Sequence, residues 1–80
     1  MTVPPGLEEV LSVDPEIMHG DLCFRGTRVP LTVLLDNLIE GMGIDEFVRH
    51  YPTVRRDRVE AVLLWEHDKI KLAAGLPNAS

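Results

Sequence analysis

The hydrophobic period of the chain changes at Pro30. Before this residue, the apolar side chains of Leu22 and Phe24 stand two positions apart, which is typical of a half-buried strand. After it, apolar residues recur three and four positions apart, which is the spacing of an amphipathic helix. Proline fixes its own φ at about −65° and keeps the preceding residue extended. The sequence therefore predicts a strand that ends before Pro30 and a helix that begins directly after it.

The N-terminal part of the chain predicts a β-hairpin over residues 11–28. The pair Asp14-Pro15 stops any helix there, because the residue before a proline leaves the helical region, and a loop follows the first strand. The chain reverses near Gly20-Asp21. Residues 1–10 contain two prolines and a glycine and are predicted to form a flexible lead-in. A two-stranded hairpin is marginal in water, so we expect it to pack on helices or to pair with a second copy.

Residues 31–74 predict three amphipathic helices joined by short connections. The stripe of the first helix is formed by Leu31, Leu34, Leu35, Leu38, Ile39 and Met42. The second helix ends at Pro52, and its stripe is formed by Ile44, Phe47, Val48 and Tyr51. The third helix begins near Arg55 or Arg56, and its predicted buried side is formed by Val59, Val62, Leu63 and Ile70. Gly75 and Pro77 end it, which leaves residues 75–80 as a tail.

The predicted fold class is mostly α with a small β element. It consists of an N-terminal β-hairpin followed by a three-helix, helix-turn-helix-like unit of the winged-helix or homeodomain-like kind, because the helices around residues 51–54 have helix-turn-helix spacing. The 80 residues form a single predicted domain, and a chain this small often completes its core as a homodimer. One cysteine, no signal peptide and no membrane-length apolar run predict a cytoplasmic protein.

The charge of the chain is unevenly distributed. The formal net charge is −5, and residues 1–24 carry five acidic residues without a lysine or arginine, so residues 25–80 are neutral overall. Positive charge concentrates at the start of the third helix, and the candidate DNA-binding residues are Arg49, Arg55, Arg56 and Arg58. The alternative is a solvated face whose arginines pair with nearby acids. The DNA-binding hypothesis is supported if the three arginines of this cluster, Arg55, Arg56 and Arg58, are free and share a face. It is weakened if they form ion pairs with Glu60, Asp45 or Glu46.

Two further surfaces suggest partner proteins. The third helix has more large apolar residues than one stripe can hold, and the candidate interface residues are Leu64, Trp65 and Leu72. The alternative is a third helix that is buried on all sides. The acidic N-terminal quarter suits a basic partner, although surface carboxylates more commonly provide solubility.

The sequence offers little for catalysis. His19 and Cys23 lie on a loop and a strand, while His50 and His67 are distant in sequence, so no zinc-binding spacing is present. Cys23 and His19 form a conceivable nucleophile and base, but a buried strand cysteine is the commoner case. We therefore expect no enzyme, no metal and no cofactor.

Several segments of the chain, taken in order, resemble one known family. They are Asp14-Pro15, Gly20, the run Arg25-Gly26-Thr27-Arg28-Val29-Pro30, Gly41, Asp45-Glu46-Phe47, Tyr51-Pro52, Val59, Ala61, Leu63 and Trp65. This order is similar to that of the domain of unknown function family four hundred and thirty-three, which comprises small prokaryotic proteins treated as antitoxin-like. The chain departs from the family pattern at His19, Leu22, Gly43 and Arg55.

The resemblance implies a helix-turn-helix-like fold with an N-terminal β element and a role beside a PIN-like ribonuclease toxin, with operator DNA as a further partner. The residues themselves place the structural motif Arg25, Gly26, Thr27, Arg28 and Pro30 at the bend between strand and helix, because Gly26 can turn the chain and Pro30 starts the helix. The residues alone suggest a structural role for Arg25 and Arg28, whose guanidinium groups can tie the hairpin to backbone carbonyls or carboxylates.

Overall fold

The structure is a computed structural model that describes residues 2–75. Two short strands precede three helices, with a single 3₁₀ turn at Met18–Gly20 between the strands. The elements are β1 (Leu11–Val13), β2 (Leu22–Phe24), α1 (Leu31–Ile39), α2 (Ile44–His50) and α3 (Arg56–Ala74). The predicted fold class, mostly α with a small N-terminal β element, is confirmed. Within the described residues, no helix has both the length and the apolar character that a membrane span requires.

The strands form an antiparallel hairpin that is shorter than the predicted range of 11–28. Leu11 pairs with Phe24, Ser12 with Cys23, and Val13 with Leu22. Leu11 and Phe24 are both buried, so the face that they share packs on the helices. Ser12 and Cys23 therefore lie on the opposite face of the hairpin.

Residues 25–29 form a tight bend instead of continuing the second strand. Gly26 has a φ of 80°, and the Thr27 amide donates to the Phe24 carbonyl oxygen at 3.0 Å. The Thr27 hydroxyl donates to the same carbonyl at 2.8 Å and accepts the Val29 amide at 3.1 Å. The positive φ explains why glycine occupies this position. The threonine closes the bend from both sides, which directs the chain into α1.

Every major element contributes to one hydrophobic core. Its buried members are Leu7, Leu11, Phe24, Leu34, Phe47, Val54, Val59 and Val62. Phe47 is fully buried, and its ring centroid lies 6.3 Å from that of Phe24 and 4.9 Å from that of Tyr51. Aromatic pairs at these separations add to the free energy gained from burial alone. Phe47 therefore links the hairpin to the second helix at the centre of the core.

The lead-in predicted over residues 1–10 packs against the rest of the molecule. Gly6 turns the chain with a φ of 99°, and the Val10 and Leu11 amides then donate to the Leu7 carbonyl oxygen. This turn buries the Leu7 side chain to 3% exposure. The Trp65 indole Nε1 donates to the Pro5 carbonyl oxygen at 2.9 Å. The apolar side chain of Leu7 therefore belongs to the core rather than to a solvated segment.

Two predictions of buried residues on helices are wrong. Ile70 is 65% exposed and Ile39 is 82% exposed. Both have the correct helical spacing, but α3 extends past the core after Trp65 and Ile39 lies in the last turn of α1, so no element of residues 2–75 covers them. Gly75 caps α3 in the left-handed region with a φ of 71°. Pro77 and the rest of the predicted tail from residue 76 onward lie outside the described residues.

Candidate nucleic-acid interface

Arg55 and Arg56, at the start of α3, are both engaged by carboxylates. Arg56 binds Asp45 of α2 and also donates through Nε to Glu60 at 2.9 Å. The hydrogen bond from Arg56 holds the pKa of Asp45 below its usual range. Arg55 donates through Nε and Nη2 to Asp57 at 3.1 and 3.2 Å. Arg56 therefore meets the condition that weakens a DNA-binding role, and it connects α2 to α3 instead.

Arg58 and Arg25 have neutral partners. Arg58 donates to the Glu9 carbonyl oxygen. Arg25 donates through Nε and Nη2 to the Glu8 carbonyl oxygen, at 3.1 and 2.8 Å. This contact ties Arg25, at the start of the bend, to the N-terminal turn. A carbonyl orients a guanidinium group without cancelling its charge, so both side chains are held in place as cations.

These two arginines line the same small depression, together with Arg55. The depression has a volume of about 60 Å³, and its other lining residues are Phe24, Thr27, Thr53 and Val54. We call it the arginine pocket. Arg28 is exposed and lines the adjacent hollow with Thr27 and Thr53. Among the described residues, Arg28 makes no hydrogen bond or ion pair.

The structure thus brings together a different set of arginines from the one predicted. Arg55 and Arg58 meet Arg25 at the pocket, while Arg56 turns to α2 and Arg49 lies exposed on α2 outside the pocket lining. Arg25 and Arg28 were assigned only a structural role from the sequence. The Arg25-Gly26-Thr27-Arg28 motif marked these residues, but no local pattern linked them to residues about 30 positions later.

The candidate interface residues on α3 differ in exposure. Leu64 is 61% exposed and Leu72 is 75% exposed. Trp65 is half-buried, because its indole binds Pro5 and its ring packs near Gly6. The Lys69 ammonium lies 5.4 Å from the Trp65 ring centroid, within the range of a cation–π contact. The exposed apolar surface of α3 is therefore provided by Leu64, Ile70 and Leu72.

Cys23 lies on the outer face of the hairpin but is only 2% exposed. Burial raises the pKa of its thiol, and the nearby Asp21 carboxylate raises it further. Both effects favour the protonated thiol, which is the less nucleophilic form. Among residues 2–75, no group of three or more His, Cys, Asp or Glu side chains is arranged to hold a metal ion.

Residues 11–65 match the family described as Protein of unknown function (DUF433). The chain belongs to this family. The matched range runs from β1 to Trp65 and so includes Arg25, Arg55 and Arg58 of the arginine pocket. The family description names no activity, substrate or partner. No curated protein matches the chain, and no solved structure does.

The contact between Asp45 and Arg56 joins α2 to α3, and we expect this contact to weaken at acid pH. We expect the Asp45 carboxyl to titrate below the ordinary aspartate pKa of about 3.9. A pKa that is depressed in the folded state stabilises the fold above the unfolded-state pKa, and this stabilisation is lost as the pH falls through the folded-state pKa. A ¹³C NMR titration of the side-chain carboxyl measures the shift, and Arg56→Gln should return it towards the ordinary value. An ordinary Asp45 pKa in the unmodified chain would contradict the contact.

Proposed function

We propose that the protein is a small, non-enzymatic, cytoplasmic regulatory protein of the antitoxin type that binds DNA through the arginine pocket and the adjoining start of α3. The observation that supports this most directly is the convergence of Arg25, Arg55 and Arg58 on one depression. Phosphate contacts from arginines supply most of the affinity and position a protein on a duplex. In this proposal, the chain contacts the DNA backbone with residues from the β2–α1 bend and from α3.

The charges at the pocket are suited to phosphate. Arg25 and Arg58 use neutral carbonyls as partners, so their charges remain available to an anion. Among residues 2–75, Arg55 forms an ion pair with Asp57 alone, and an exposed ion pair of this kind contributes about 0–1 kcal/mol. A phosphate can therefore compete with Asp57 at little cost. Arg28 makes no competing contact among the described residues and can swing towards the same phosphates.

The proposal gives Arg56 a different role from the one expected of a base-reading arginine. Its guanidinium group is engaged by Asp45 and Glu60, so it holds the start of α3 against α2 and supports the pocket indirectly. The net charge of −5 limits non-specific attraction to DNA. The affinity for DNA should therefore depend on the arginines of the pocket rather than on the net charge of the protein.

A fluorescence-anisotropy titration against duplex DNA from upstream of the protein's own gene, repeated over a salt series, tests the proposal. Three to four phosphate contacts predict a slope of about −3 to −4 for log K against log salt. The variant Arg28→Glu plus Arg55→Glu should reduce the affinity by about tenfold or more and the magnitude of the slope by about 2. These two residues are chosen because neither side chain is hydrogen-bonded to a residue of the hydrophobic core.

The matched control is Arg49→Glu plus Lys71→Glu, which makes the same change in net charge away from the pocket. We expect this control to retain most of the affinity, and a scrambled duplex measures sequence preference. Equal losses in the two double variants would show that only net charge matters. An absence of binding by the unmodified, folded protein at low salt would overturn the DNA-binding proposal.

A homodimeric protein-interaction module without DNA binding is the second candidate. It is supported by the exposure of Leu64 and Leu72 and by the carboxylates that engage Arg55 and Arg56. Neutralisation of a PIN-like ribonuclease toxin, the partner that the family resemblance suggests, belongs to the first candidate and not to this module; the acidic N-terminal quarter is the surface that supports it. Dimerisation together with failure to bind DNA would favour this candidate over the first.

A further inference from the structure

The outer face of the hairpin carries a hollow. The loop between β1 and β2 curls over this face and leaves a space of about 640 Å³. Its apolar lining is formed by Val3, Val13, Pro15, Ile17 and the buried Cys23. We call this space the hairpin cleft. Its volume is ample for a large apolar side chain together with the stem of a lysine.

The charged groups of the hairpin cleft favour a cation. Asp14 and Asp21 both belong to its lining. The Asp14 carboxylate accepts the Glu16 amide at 2.9 Å, and neither Asp14 nor Asp21 has an ion pair among the described residues. Arg25 is the one cation in the lining, so the lining carries two carboxylates against one cation. A positively charged side chain with an apolar stem would therefore complement the cleft.

The same molecule has a partly exposed surface of complementary character near the end of α3. Trp65, Lys69 and Leu72 are spaced four and three residues apart, so they lie along one side of the helix. Lys69 is exposed, and Leu72 is more exposed than any other large apolar residue of α3. We call this surface the α3 docking face.

The docking face and the cleft are connected by the N-terminal segment. The Pro5 carbonyl binds the Trp65 indole, and Val3, two residues earlier, lines the hairpin cleft. Only residues 3–5 of this segment therefore separate the edge of the hairpin cleft from the Trp65 end of the docking face.

We propose that the occupant of the hairpin cleft is a second copy of this chain. In a two-fold symmetric dimer, Leu72 of each copy enters the cleft of the other, and its Lys69 ammonium pairs with Asp21. The proposal rests on the homodimer suggested above and adds its geometry. Two-fold symmetry forms the contact twice, which suits a chain too small to bury a large core alone.

Charge reversal tests the pairing directly. Lys69→Glu places a carboxylate opposite Asp21 in both contacts, and Asp21→Lys places two cations together, so each variant alone should dimerise at least about tenfold more weakly. An equimolar mixture should dimerise with nearly the unmodified affinity. In the mixed dimer, one contact keeps the original Lys69–Asp21 pair and the other holds the same pair reversed. Sedimentation velocity measures the affinities, and native mass spectrometry identifies the mixed dimer.

The matched controls reverse nearby charges that the proposal leaves outside the contact. Lys71→Glu lies two residues from Lys69 and therefore on another side of α3, and Glu40→Lys lies at the end of α1. Both controls should dimerise like the unmodified chain. Leu72→Ser should weaken the dimer, whereas Leu64→Ser, at a position outside the docking face, should not. Circular dichroism confirms that each variant is folded.

Several outcomes would overturn the proposal. They are a monomeric unmodified chain at millimolar concentration, a Lys69→Glu effect no larger than that of Lys71→Glu, and a mixture that stays monomeric. A dimer that is broken by Leu64→Ser but not by Leu72→Ser would place the contact on the other side of α3. A monomer that binds DNA through the arginine pocket would overturn this inference while leaving the DNA-binding proposal intact.

Discussion

Phe47→Ala is expected to leave much of the chain unfolded at 25 °C. The Phe47 side chain has no exposed surface, and it contacts the rings of Phe24 and Tyr51. Replacing a buried phenylalanine by alanine costs about 3–5 kcal/mol. A core in a domain of this size rarely supplies more than about 3–5 kcal/mol of net stability. The loss is therefore comparable to the whole free energy of unfolding.

Urea denaturation followed by far-ultraviolet circular dichroism measures this loss. Phe47→Leu should retain a cooperative transition at a lower urea concentration, because leucine refills part of the cavity. Ile39→Ala removes an apolar side chain that is 82% exposed, and it should change the free energy of unfolding by less than about 0.5 kcal/mol. A Phe47→Ala midpoint equal to that of Ile39→Ala would show that Phe47 is not central to the core.

The sequence was sufficient to locate the elements because their boundaries depend on local chemistry. Pro30 begins α1, Pro52 follows the end of α2, and Gly75 caps α3, as the patterns predict. Gly26 takes the positive φ that the bend requires. Each of these signals acts through the backbone of the residue itself, so it can be read without knowing the rest of the fold.

Burial was predicted less well, because it depends on what lies opposite each side chain. Ile70 and Ile39 follow the helical stripe, yet both are exposed where their helices have no facing element. Leu7 belongs to a segment rich in proline and glycine, yet it is buried against the core. Hydrophobic spacing indicates which side of a helix is apolar, but it does not indicate how far the core extends along that side.

The arginine pocket could not be derived from the sequence for a related reason. Arg25 and Arg58 are brought together because both are tied to the N-terminal turn, at the carbonyls of Glu8 and Glu9. The turn lies within residues 1–10, which were predicted to form a flexible lead-in, so nothing in the sequence linked the two arginines. The Arg56 contacts with Asp45 and Glu60 were foreseen only as an alternative.

Leu7→Ala is expected to lower the free energy of unfolding by about 2–5 kcal/mol, which is the usual range for a buried leucine. The Leu7 side chain is 3% exposed and packs in the core, so its loss leaves a cavity. Urea denaturation measures the change, and Ile39→Ala again provides the control for an exposed apolar residue. An effect as small as that of the control would mean that residues 1–10 are the flexible lead-in that their composition suggests.

The same substitution should also loosen the arginine pocket, because Leu7 anchors the turn whose next two carbonyls bind Arg25 and Arg58. In the unmodified chain, the hydrogen-bonded Arg25 Nε proton should exchange slowly with water and give a sharp NMR signal. In Leu7→Ala that signal should broaden or exchange faster, at a temperature where the far-ultraviolet spectrum is still folded. Unchanged exchange together with reduced stability would separate the two roles: Leu7 would support the core without holding the arginines in place.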